Sequence, residues 1–199
     1  YQIAAKLDNF VAQYDLANMY IDGDDVDEDY EKAFNLSKKL AGEEFPIGIN
    51  LLGYCYENEI GTIINEQKAF ELYQKAAHLG NSKGIYNLGR CYTNGIGTNI
   101  NMNKAVELYK EAAIMGNAFA QYRIYNLGKC YGNGCGTDIN INKAFELYQK
   151  AANMGNPWAQ YNLALMYECG DGIKKDIDKA IYWYDKSAKQ GDEDAQNKL

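Results

Sequence analysis

Every 36 residues this chain superposes on itself. Leucine recurs at Leu16, Leu52, Leu88, Leu127 and Leu163, alanine at Ala33, Ala69, Ala105, Ala144 and Ala180, and glycine at Gly80, Gly116, Gly155 and Gly191, with a single step of 39 among steps of 36. Of 18 tyrosines, 14 fall into three columns of that register. Self-similarity at this period marks stacked supersecondary units, each shielding the apolar flank of the next, so most residues are to be explained by neighbour-on-neighbour packing before any chemistry is considered.

Each unit reads as two helices. In Asn81 to Tyr92 the apolar positions recur at steps of three and four, the spacing that lines one helical face; this is helix A. Gly95-Ile96-Gly97 then stops the helix and turns the chain. Helix B follows from Asn101 to Ala113. Its start is marked in every unit by Asp29, Asn65, Asn101, Asn140 or Asp176, side chains that accept from the unpaired first-turn amides. It ends at the terminal glycine column, where Asn81, Asn117, Asn156 or Asp192 opens the next helix A. The boundaries are repeats at about 9–44, 45–80, 81–116, 117–155 and 156–191 within one array over 1–199. Residues 1–8 correspond to the end of a preceding helix B, and 192–199 to the start of a following helix A. The expected fold is all-α, a right-handed α/α superhelical solenoid of antiparallel helix pairs.

Composition narrows the function classes. The net charge of -7 is concentrated in residues 1–45, which hold 11 acids against 4 bases, much of it in the run from Asp22 to Glu31. An acidic end repels phosphate backbones and anionic lipid, and the tyrosine columns follow the packing register without a basic face, so no nucleic-acid partner is expected. The longest uncharged stretch, Ala151 to Tyr167, is short and broken by Gly155-Asn156-Pro157, so no membrane insertion is expected. Five cysteines are an odd number for a disulfide framework. Cys55, Cys91 and Cys130 share a helical column with Met19 and Met166, which reads as small apolar packing and fits a reducing, cytoplasmic compartment. Cys135 and Cys169 sit in consecutive inter-helix loops and could come close, but a bridge between them is not the expectation. No signal peptide is visible, though a chain that starts at Tyr1 rather than Met leaves room for a removed one.

The single histidine, His78, stands in a variable column near the end of a helix B, with no nucleophile at fixed spacing, so no enzyme is expected. The Gly-x-Gly loop has no preceding strand and recurs as Gly134-Cys135-Gly136, which makes it repeat punctuation rather than a phosphate cradle. The acidic run lacks an EF-hand's mid-loop glycine, Tyr30 standing there if Asp25 is counted first. No metal and no cofactor are expected.

The order Leu-Gly-x-x-Tyr, Gly-x-Gly loop, Lys-Ala-x-x-x-Tyr-x-x-Ala-Ala and closing Gly, as in Leu88-Gly89 to Gly116, resembles the Sel-one-like repeat (SLR) family, a relative of the tetratricopeptides, over essentially the whole chain. The first repeat departs from it at Ala17, Asp25 and Ser37, and the fourth carries three extra residues near Arg123-Ile124-Tyr125. The resemblance implies a protein-protein interaction scaffold or adaptor that holds a partner segment on a concave helix A groove, in some relatives within signalling or degradation machinery. By analogy with tetratricopeptides, two columns face that groove: Tyr14, Asn50, Tyr86, Tyr125 and Tyr161, and, four residues on, Asn18, Tyr54, Arg90, Lys129 and Leu165. The second varies where the scaffold columns do not, and Arg90 and Lys129 would offer charge to an acidic partner. The alternatives are that the tyrosines only pack, or that the array is a structural spacer or regulatory unit joined to a catalytic domain such as a kinase. Secreted relatives linked to penicillin binding or hydrolysis carry two bridged cysteines per repeat; this chain has at most one in the equivalent helices.

Overall fold

The computed structural model describes residues 9–134 and 138–199; the expected helix at 1–8 and Cys135 lie outside them. The described residues are helical, with no strand among them. They form two compact units, divided between Met115 and Gly116. The first contains α1 (Phe10–Asp22), α2 (Tyr30–Gly42), α3 (Pro46–Glu57), α4 (Glu66–His78), α5 (Ser82–Asn94) and α6 (Met102–Ile114). The second contains α7 (Ala118–Asn133), α8 (Ile141–Asn153), α9 (Pro157–Cys169), α10 (Ile177–Ala188) and the short α11 (Glu193–Gln196). Odd-numbered helices are the A helices and even-numbered ones the B helices. Within each unit every helix packs on the next in sequence, the local connectivity a repeat array requires.

The B-helix caps form as the sequence predicts. Asp29, Asn65, Asn101, Asn140 and Asp176 each accept from the backbone amide three residues on, at 2.9–3.1 Å. The amide of each cap donates back to the carbonyl of the last-turn tyrosine of its own helix A, Tyr20, Tyr56, Tyr92, Tyr131 or Tyr167, at 2.7–2.9 Å. The A–B loop is therefore closed by a backbone bond in all five repeats. Over the same tyrosine ring sits the lysine three residues after the cap, with its ammonium 5.0–5.2 Å from the ring centroid, a cation–π contact on the scale of ~0.5–1 kcal/mol where it is exposed. The preceding repeat's Phe34, Phe70 or Phe145 meets the ring of Tyr56, Tyr92 or Tyr167 edge-on at 5.5–5.7 Å. One tyrosine column thus joins loop, helix B and neighbouring repeat.

A second column, Tyr73, Tyr109, Tyr148 and Tyr184, fills the space between helices A and B and is buried throughout. In the second to fourth repeats the A-helix glycine opposite makes room for it, and in the fifth that position is the buried Ala164. A methyl group at Gly53, Gly89 or Gly128 would lie 2.7–2.9 Å from the ring of Tyr73, Tyr109 or Tyr148. The first repeat occupies the same two register positions with Ala17 and Ser37, both fully buried. There the Ser37 hydroxyl donates to the Ala33 carbonyl at 2.8 Å, which satisfies the one polar group the exchange introduces. The leucine and alanine columns that set the register are buried in every repeat.

Helix B ends in a residue of left-handed conformation, which glycine adopts without a Cβ penalty. Gly80, Gly116, Gly155 and Gly191 have φ of 75°, 85°, 94° and 90°. In the first repeat this position is Glu44, at φ 56°. Its carboxylate meets Lys75 at 2.9 Å, but the two side chains are 72% and 48% exposed, so the pair contributes little. Glu44→Gly is therefore expected to raise stability by about 0.5–1 kcal/mol, read as a higher urea midpoint at unchanged slope. A lower midpoint would mean the exposed ion pair outweighs backbone strain.

Candidate functional site

The two candidate columns meet different fates in the first unit. Lys83 donates to the Tyr14 hydroxyl at 3.1 Å and holds its ammonium 5.7 Å from the Tyr14 ring centroid. The Asn18 side chain donates to the Tyr14 carbonyl at 2.9 Å, within its own helix. Asn50 is buried, 6% exposed, and accepts from Asn87 at 2.9 Å. The Tyr86 ring lies against Tyr109, centroids 5.8 Å apart. These are packing roles. Of the first unit's candidates only Tyr54 projects clearly to solvent, at 38%.

Arg90 is engaged as well. Its guanidinium donates to Glu57 of the preceding repeat at 2.8 Å, and Glu57 also accepts from the Tyr73 hydroxyl at 2.6 Å. Glu57 is only 10% exposed and Arg90 24%. Burial opposes the arginine's charge, and the carboxylate beside it more than offsets that, so Arg90 titrates above its ordinary range. Burial, with the neighbouring Glu57 charge, pushes the Tyr73 hydroxyl well above the ordinary tyrosine range. Arg90 thus neutralises a carboxylate of its own chain, and an acidic partner would have to displace Glu57 to reach it.

In the second unit the rings of Tyr125 and Tyr161 lie against Tyr148 and Tyr184 at 5.9 and 5.7 Å. Leu165 is half-buried and Lys129 exposed. Here the three-residue insertion becomes informative. α7 has 16 residues where α5 and α9 have 13. Three residues advance a helix by roughly 300°, close to a full turn, so the helix continues unbroken and gains most of one turn. Counted from the N-caps, Ala120-Gln121-Tyr122 matches Ala159-Gln160-Tyr161; counted back from the leucines, Tyr125-Asn126-Leu127 matches Tyr161-Asn162-Leu163. The tyrosine is doubled, and both copies reach the same side of α7, their centroids 6.1 Å apart.

Against this pair stands Trp158, at the second position of α9 after Pro157. Its ring lies 5.7 Å from Tyr122 and 6.3 Å from Tyr125. Tyr122 is 45% exposed, Trp158 50% and Phe119, one turn before Tyr122, 71%. Asn162 donates to the Trp158 carbonyl at 2.8 Å. Burial, with Tyr122 close by, raises the Tyr125 hydroxyl above its ordinary range. The result is an aromatic ledge on α7 and α9, seated on Tyr125 and Tyr148 and open at Phe119, Tyr122 and Trp158. Tyr125 stands in a candidate column, whereas Tyr122 and Trp158 stand in neither. The available signal was that Tyr122 lies outside the three tyrosine columns.

Other chemistry has little support among the described residues. Burial pushes the Cys91 thiol up to about 12, and raises that of Cys55, so both are neutral at ordinary pH and are poor nucleophiles. No group of three or more His, Cys, Asp or Glu side chains is placed to hold a metal ion, and no helix is long and apolar enough to cross a membrane, among the described residues. The Cys135–Cys169 pairing involves a residue outside them; Cys169 itself is exposed and has no disulfide partner among the described residues.

The Sel1 repeat family matches residues 11–42, 46–81, 82–117, 124–156 and 159–192. Among solved structures, a Sel1 repeat protein from Oxalobacter formigenes is similar with TM-score 0.71 and 28% identity, over 97% of this chain and 78% of that one. A protective antigen present in uropathogenic Escherichia coli strains, displaying an SLR fold, is similar with TM-score 0.69 and 34% identity; the match covers 100% of this chain and 42% of that chain. A structure from Klebsiella pneumoniae subsp. pneumoniae shares the fold with TM-score 0.58 and 24% identity, over 100% of this chain and 95% of that one. Among curated proteins none matches this chain.

Proposed function

Because this chain belongs to the Sel1 repeat family, whose repeats commonly serve as protein-interaction modules, we propose that it is a binding scaffold whose partner docks on the α7–α9 ledge of the second unit. The observation that carries the reading is the half-exposed ring pair of Tyr122 and Trp158, with the more exposed Phe119 one turn before Tyr122. Single exposed apolar residues are ordinary on a protein surface, but large rings placed side by side and braced from below are the anchors of interfaces. Tyrosine and tryptophan offer wide contact area at small loss of side-chain entropy, and Tyr125, itself resting on Tyr148, lies against both rings.

The ledge owes its existence to the insertion. Without it α7 would carry a single tyrosine in this column, as α5 and α9 do with Tyr86 and Tyr161. The double variant Tyr122→Ser, Trp158→Ser removes two half-exposed rings and should lower thermal stability only modestly. Immobilised wild-type and variant chains are exposed to a lysate of the source organism and the retained proteins are compared by mass spectrometry. The partners held by the wild type should be lost with the variant; the same partners on both would place binding elsewhere.

A further inference from the structure

The charges around the ledge point to the chemistry of its partner, and the argument rests on the ledge being the docking site. α7 carries Arg123 and Lys129 and no acidic residue, in a chain whose net charge is -7. Lys129 lies one turn beyond Tyr125 on the same side of the helix, where side chains four apart are neighbours. It is exposed and has no ion-pair partner among the described residues. The five B-helix lysines over tyrosine rings and Arg90 on Glu57 are all occupied within the fold. Lys129 is not.

The nearby acids do not cancel it. Glu168, the one acid of α9, accepts from the Tyr184 hydroxyl at 2.5 Å and pairs with Lys198 at 2.9 Å, and those bonds hold its carboxyl below the ordinary range. Asp192, which Tyr125 senses, caps α11 and accepts from the Ala195 amide at 2.8 Å. The Glu168 charge is matched by Lys198, Asp192 keeps its own, and neither carboxylate forms an ion pair with Lys129. The ledge thus combines apolar rings with an unmatched cation. Helical backbone exposes no unpaired edge, so a partner strand cannot be added by backbone bonding and recognition falls to side chains.

We propose that the ledge binds an acidic peptide segment, an apolar side chain resting on Tyr122 and Trp158 while an adjacent carboxylate pairs with Lys129. Random peptides displayed on phage are selected on the full chain, with the Trp158→Ser variant as counter-selection. Clones that depend on Trp158 should be enriched in Asp or Glu within a few residues of a large apolar or proline side chain. A synthetic peptide from the best clone, titrated against the Trp183→Phe chain in which Trp158 is the single tryptophan, should shift its fluorescence. Its affinity should fall about tenfold with Lys129→Glu, less with Lys129→Gln, and fall again as salt is raised. Trp158-dependent clones that are neutral or basic, or affinity indifferent to Lys129 and salt, overturn the acidic assignment and leave the interaction reading standing. Absence of any Trp158-dependent clone overturns both.

Discussion

Gly97→Ala should be among the most destabilising single-methyl additions to this chain, lowering stability by about 3–4 kcal/mol. Two effects combine at that position. Its φ is 62°, in the left-handed region where a Cβ costs about 1–2 kcal/mol. The added methyl would also collide with the Glu66 carbonyl and the Phe70 Cβ of the preceding repeat. A carbonyl inside a helix cannot retreat as a flexible side chain can, and overpacking of this kind adds about 1–3 kcal/mol. Gly80→Ala is the control. Its φ is 75°, but a methyl there meets nothing within 4 Å, so only the backbone penalty of about 1–2 kcal/mol applies. Urea unfolding followed by circular dichroism measures both. Equal losses at the two sites would show that close stacking of the loop on the neighbouring helix contributes nothing.

Arg90→Met should cost about 3 kcal/mol, because it strands the Glu57 carboxylate at 10% exposure with the Tyr73 hydroxyl as its remaining side-chain donor. Converting Glu57 to glutamine in the same chain removes the uncompensated charge, so the double variant Glu57→Gln, Arg90→Met should recover much of the loss. The Lys75–Glu44 pair provides the contrast. Its groups are 48% and 72% exposed, and Lys75→Met should change stability by less than about 0.5 kcal/mol. If Arg90→Met matched Lys75→Met, the Glu57 site would have to be better hydrated than its burial indicates. Arg90 variants should therefore weaken any binding through the fold, whereas Lys129 variants should act on the partner alone.

The contrast between Arg90 and Lys129 shows where reading the chain reaches its limit. The two occupy the same repeat column, and by pattern both are cations offered to a partner. What separates them is Glu57, 33 residues before Arg90 and on another helix. At the equivalent position the next repeats carry Thr93 and Gly132, so the column that decides the fate of the cation varies independently of it. Thr93 lies 3.0 Å from the Tyr109 hydroxyl, and Gly132 has no side chain to offer Tyr148. Asn50 is a similar case: it stands in a candidate column yet is consumed by a bond to Asn87.

The tyrosines show the converse. The four outside the three columns are Tyr30, Tyr54, Tyr122 and Tyr182, and all four are exposed, at 45%, 38%, 45% and 51%. A residue that obeys the repeat obeys it because a neighbour needs it there; one that breaks the repeat is released from that duty. Departure from the period is therefore the better guide to exposure than membership in a column, and Tyr122 is identifiable as exposed on that ground.

Sequence alone determined the helical pairs, their caps at Asp29, Asn65, Asn101, Asn140 and Asp176, the buried leucine and alanine columns, and the family to which they belong. These depend on local backbone chemistry and on environments that every repeat reproduces, so the period itself reports them. Tertiary structure decided which residues of the candidate columns remain available: Arg90 and Asn50 are occupied, Lys129 is not, and one added near-turn brings Tyr122 beside Trp158. Availability depends on which side chains of different repeats come within a few ångströms of one another. That is set by how helices stack, and no periodicity along one chain encodes it.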